Sequence, residues 1–211
     1  MLMYVVIAKG QSDRIEFEPV NTLSGLSNNR VTAIRQDKYG FLWIGTHEGL
    51  NKYDGYDFTI YRHNPKDSSS ISSDKITCIF EDMDGTLWVG TMNGGLNRLN
   101  RANDSFIQFR YNKNDPQSVP SDNITAICED NTGNLWVGTL SKGIAILKKE
   151  NKADGTFVSH QNKPGDEKSL PNDAINCIRK DRYGTIWIGT MRGLAKVVEN
   201  NQNAIIYRNY T

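Results

Sequence analysis

The chain has 211 residues, a formal charge of +1 and 37% hydrophobic residues, enough for one ordinary domain or two small ones. That charge, with no run of like charges, excludes the basic field or stripe that phosphate binding needs, so direct nucleic-acid binding is not expected. No stretch approaches the roughly 20 apolar residues needed to span a bilayer, and the abundance of Asn, Asp, Ser, Thr and Gly fits many short strands joined by many turns.

Residues 1–10 open on "MLMYVVIA" and then turn small and polar. They read as the back half of an export signal, which lacks the basic start of a complete one; the competing reading is a first strand. Residues 11–26 hold "RIEFEPV" and an exit loop. They are expected to be the outer strand of a neighbouring blade, because "GLSNNRV" parallels the "SISSDKI", "VPSDNI" and "LPNDAI" that follow the later outer strands.

Four repeats follow, with blades expected over 27–64, 65–112, 113–162 and 163–211. Their tryptophans, Trp43, Trp88, Trp136 and Trp187, fall 45, 48 and 51 residues apart. A period of this size with Gly and Trp in each unit predicts an all-β fold of β-propeller type, one four-stranded blade per repeat. The first strand of each unit ("RVTAIRQD", "KITCIFED", "NITAICED", "AINCIRKD") is apolar on both faces, as expected where blades pack face to face. An Asp-x-x-Gly turn follows, with Gly40, Gly85, Gly133 and Gly184 supplying the positive φ. The second strand carries the Trp, read as an inter-blade wedge. A glycine turn leads to a third strand, and a fourth closes the unit. Cys78 and Cys177 occupy the position of Ala33 and Ala126 and read as small core residues. Three cysteines do not make a disulfide framework.

The chain therefore runs as an outer strand followed by four complete units. A closed ring has no vacancy for that extra strand. The expectation is an incomplete part of a larger, seven-bladed type of propeller, forming an open arc or strained ring whose bare end faces associate.

The turns after the second strand and the loops after the fourth share one rim and vary between units, which is where binding is usually placed on a fixed scaffold. The candidates from the turns are His47, Glu48, Met92, Asn93, Ser141, Lys142 and Arg192. Those from the starts of the first strands are Asn29, Arg30, Asp74, Lys75, Asp122, Asn123, Asn172 and Asp173. No metal-ligand spacing, cofactor motif or nucleophile–base arrangement stands out among the three histidines and three cysteines. "DMDG" at 82–85 imitates a calcium loop but lacks the later glutamate.

The unit D-x-x-G-x-[LI]-W-[IV]-G-T-x-x-G-[LI], carried by all four copies, two with one extra residue, resembles the two-component regulator propeller repeat. The resemblance covers about residues 15–211. It implies the periplasmic sensor part of a hybrid two-component regulator, with an oligosaccharide as ligand. It also implies further blades, a β-sandwich domain and a histidine kinase outside this chain as partners, with a homodimer in the full-length receptor. No kinase part lies within the chain, so no enzymatic activity is expected of it. The alternatives are a propeller glycoside hydrolase or lyase, or a protein-interaction scaffold. A sialidase-like enzyme needs an arginine cluster on the inner strands, and no arginine recurs there.

Overall fold

The computed structural model describes residues 17–200 and 205–210; the expectation for residues 1–10 falls outside them. Of the segment 11–26, residues 17–20 carry no strand and Thr22–Ser24 form a single 3-10 turn capped by Asn21. Sixteen strands follow in four antiparallel sheets of four, each in simple chain order. The first blade comprises β1 (Val31–Gln36), β2 (Leu42–Thr46), β3 (Gly49–Tyr53) and β4 (Phe58–Tyr61). The second comprises β5 (Ile76–Glu81), β6 (Leu87–Thr91), β7 (Leu96–Asn100) and β8 (Ser105–Phe109). In the third are β9 (Ile124–Glu129), β10 (Leu135–Thr139), β11 (Ile144–Leu147) and β12 (Phe157–His160), and in the fourth β13 (Ile175–Lys180), β14 (Ile186–Thr190), β15 (Gly193–Asn200) and β16 (Ile205–Tyr210). No helix among the described residues is long and apolar enough to cross a membrane.

The core is divided into three slabs, one between each pair of neighbouring blades. Alternation along a strand sends successive side chains to different slabs. On β9, Ile127 joins the slab containing Trp88, whereas Ala126 and Cys128 join the slab containing Trp136 and Ile178. Trp43, Trp88 and Trp136 each pack on the blade that follows. Trp43, Trp88 and Trp136 are fully buried.

The four-fold signature has a local physical cause. Each turn aspartate accepts backbone amides two and four residues on through one oxygen and the indole N–H of the tryptophan six residues on through the other. The indole bonds are 2.8–3.0 Å long in all four blades. The glycine after the tryptophan is needed for close approach. A Cβ on Gly45, Gly90 or Gly138 would lie 2.6–2.7 Å from a methyl of Ile76, Ile124 or Ile175, the first residue of the next inner strand.

Two expectations are corrected at the ends of the array. Trp187 is only half-buried, because among the described residues no blade covers the far face of the fourth; it makes the same bond to Asp181 and tilts against Tyr210 at 6.0 Å. Cys177 lies on that same face and is exposed rather than a core residue. At the other end Ile34 of β1 is 65% exposed. Among the described residues the four blades form an open arc with a bare face at each end.

Candidate functional site

The inner strands β1, β5, β9 and β13 stand side by side and line one channel of about 360 Å3. The turns between second and third strands gather at one end of it with the loops that enter each blade. There Gly49 N donates to Asp74 O at 2.9 Å, which sets Glu48 beside Asp74. Met92 N donates to Lys75 O, and Asn93 N to the Asn123 side chain, each at 2.9 Å. Gly143 N donates to Asp173 O at 2.9 Å. The sequence-selected residues are thus brought together pairwise around the rim.

Many of their polar groups are already committed. The carboxylates of Asp74, Asp122 and Asp173 accept the amides of His63, Tyr111 and Asn162 at 2.7–2.8 Å, stapling each entry loop to the end of the preceding outer strand. Asp122 also pairs with Arg110 at 3.3 Å. Asn29 accepts the Thr22 amide and Asn172 the Ala174 amide. Arg30, Glu48, Lys75, Met92, Asn93, Ser141, Lys142 and Arg192 are exposed, and His47 is half-buried. Lys142 lines a hollow of about 270 Å3 with Tyr111 and the 112–120 loop. Buried entry-loop clamps reinforce the first two blades: Ser27 with Asn51 and Thr46, and Ser72 with Asn97.

The opposite rim carries the aspartate turns and two ion-pair networks that sequence reasoning missed. Lys152, from the connection after β11, places its ammonium 2.8 Å from both Asp82 and Glu129, with side-chain exposures of 11%, 0% and 2%. One blade back, Arg101 pairs with Asp37 at 2.9 Å and lies 3.7 Å from Glu81. In both cases the cation follows the third strand of one blade and meets the turn aspartate of the blade before. The residues after β15, "NQNA" at 201–204, include no cation, and here Asp130 is bonded instead by its own Thr132 and Asn134 side chains.

Burial pushes the Asp82 carboxyl up, but Lys152, the Trp88 indole and the Thr86 amide outweigh it and hold the group below the ordinary range. Asp37 and Asp130 are held down in the same manner against burial, and Asp181 chiefly by the Trp187 indole. Carboxylates fixed as anions and saturated with donors are scaffold, not general acids. Between these turns and the channel lies a cleft of about 410 Å3 that contains Arg35, Phe80, Cys128, Arg179 and Lys180. The expectation that no arginine recurs on the inner strands is corrected: Arg35 and Arg179 hold the same repeat position, opposite the tryptophan, in the first and fourth blades, and both line this cleft. The sequence signal was the residue opposite each tryptophan: Arg35, Phe80, Cys128 and Arg179.

The family model of the two component regulator propeller matches residues 25–48, 70–93, 118–141 and 169–192. The chain is similar, at 31% identity and a TM-score of 0.65, to the extracellular domain of the protein described as hybrid two component system BT3049 from B. thetaiotaomicron, over 89% of this chain and 31% of that one. It is similar at 26% identity and a TM-score of 0.68 to the extracellular domain of BT4673, described likewise and from the same organism, over 86% of this chain and 25% of that one. Histidine kinase P4 of Formosa agariphila is 50% identical over 62 residues, 29% of this chain and 4% of that protein. The chain thus spans less than a third of the length of each of these relatives. Four repeat matches, at the turn, wedge and glycine positions whose packing is described above, show that the chain belongs to the two-component regulator propeller family.

Proposed function

We propose that this chain is an extracytoplasmic sensory propeller segment of a hybrid two-component regulator, that it lies in the periplasm, and that it binds an oligosaccharide rather than transforming one. The observation that carries the reading is the 31% identity over 89% of the chain to an extracellular domain of that class. The chemistry agrees with it. The recurrent carboxylates are tied to tryptophan indoles, and Asp37 and Asp82 also to cations, whereas most of the variable rim side chains face solvent. Binding would act by favouring one of two arrangements of the whole receptor, with further blades, a sandwich domain, a second receptor copy and a histidine kinase completing the signal path.

The test is a melting series of the chain against a panel of oligosaccharides. A saturable rise in Tm with one chemical class of saccharide supports the reading; at 100 times Kd it amounts to about 2.7 kcal/mol. A panel that leaves Tm unchanged throughout contradicts it.

A further inference from the structure

The proposed sensor has two rims, and the one bearing the aspartate turns holds a set of cations that the scaffold does not use. The last residue of each inner strand is Gln36, Glu81, Glu129 or Lys180, each opposite the first residue of the second strand. Glu81 and Glu129 serve the scaffold by accepting the Lys38 and Met83 amides of the preceding blade's turn at 3.0 and 2.7 Å. Lys180 replaces the carboxylate with an ammonium, which accepts no amide. Arg35 lies over the Phe80 ring at 5.7 Å, and Lys180 and Arg179 stand close enough to Cys128 for their charges to act on its thiol. Among the described residues, none of these three cations has a carboxylate within 4.0 Å. All three are exposed and line the same 410 Å3 cleft.

The acids of that cleft are occupied: Glu81 by Arg101 and an amide, Asp82 by Lys152 and the Trp88 indole, and Glu129 by Lys152 and an amide. Their charges offset much of the long-range field. What remains is two guanidinium-bearing residues and one ammonium-bearing residue lining the cleft with the half-buried ring of Phe80. Guanidinium forks match planar or tetrahedral oxyanions, and charge-assisted bonds are the stronger class. The ring suits the apolar face of a sugar.

We infer that this cleft binds the anionic group of an acidic saccharide, a carboxylate or a sulfate ester, held by Arg35, Arg179 and Lys180 over Phe80. The inference rests on the sensory reading and narrows its ligand class.

The experiment is calorimetric titration of the 211-residue chain at low ionic strength with digalacturonate, a monosulfated lactose, neutral lactose, and the acetate and sulfate ions alone. Arg35→Gln, Arg179→Gln and Lys180→Gln are titrated beside it, with Lys66→Gln on an exposed loop as control. At least one acidic saccharide should bind ten times tighter than lactose or more. Each cleft variant should weaken it about tenfold, the factor given by about 1.4 kcal/mol, and the control should not. Whether the carboxylate or the sulfate arm responds identifies the anion. Equal binding of lactose, insensitive to the three variants, overturns the anion inference and leaves the sensory reading standing. Free ions binding as tightly as the saccharides would keep the cleft and remove the saccharide. Silence from every probe overturns the anion inference, and the melting series then decides the sensory reading.

Discussion

Replacing Lys152 with methionine isolates what the buried ion pairs contribute. The ammonium lies 2.8 Å from both Asp82 and Glu129, and the three side chains are between 0% and 11% exposed. Methionine retains most of the stem but leaves two buried carboxylates without their cation, which costs about 3–5 kcal/mol. At about 2–4 °C per kcal/mol for a chain of this size, Tm should fall by roughly 6–20 °C at pH 7. The pH dependence carries the sign of the effect. Asp82 is held below its ordinary value of 3.8, so its contribution is complete above that pH and is lost as pH falls through the depressed value. Lys152 is held above its ordinary value of 10.5, against burial, by its bonds to Asp82 and Glu129. Its contribution is complete below that pH and is lost as pH rises through the raised value. In the variant, burial remains as the largest influence on Asp82 and raises its carboxyl. The deficit should therefore shrink as pH is lowered from 7 toward 4. Urea melts of both proteins across that range are the assay. A loss below about 1 kcal/mol at pH 7, or a deficit that widens in acid, would refute the reasoning.

Three further perturbations probe the scaffold. Trp136→Ala should cost about 3–5 kcal/mol, and Trp187→Ala, on the bare face, less than half of that in the same urea melts. Gly138→Ala should cost about 1–3 kcal/mol, because its Cβ would lie 2.6 Å from the Ile175 methyl; Gly189→Ala, which meets only its own blade's Cys177 at 2.7 Å from the sulfur, should cost less. Native alkylation at pH 8, followed by mass spectrometry, should label Cys177 alone, since burial pushes the Cys78 thiol up to about 12 and raises Cys128 as well.

The blades were legible because each repeat solves the same local problem with the same residues. Asp37 and its equivalents must cap a turn and hold an indole, Gly40 must take φ of +90°, and Gly45 must admit Ile76. The exposure of Trp187 was not legible from its repeat position, because equivalence in sequence does not guarantee a following blade; it follows only from the expected open arc. Arg101 and Lys152 were illegible for another reason. They come from connections of unequal length, 4 residues after β7 and 9 after β11, and act on the neighbouring blade rather than their own. At the proposed cleft the sequence marker is departure from the repeat, as where Lys180 stands in the place of Glu81 and Glu129. The rim residues Asp74, Asp122 and Asp173 recur, and their carboxylates staple loops.

Whether this chain binds without transforming is tested most directly by recovering the ligand. The chain is incubated overnight with the saccharide that raises its Tm most, then denatured, and the released saccharide is analysed by mass spectrometry. Full recovery at unchanged mass, in proportion to the protein present, is the expected result. Shorter saccharides, or products carrying a new double bond, accumulating beyond one equivalent would show turnover and contradict it.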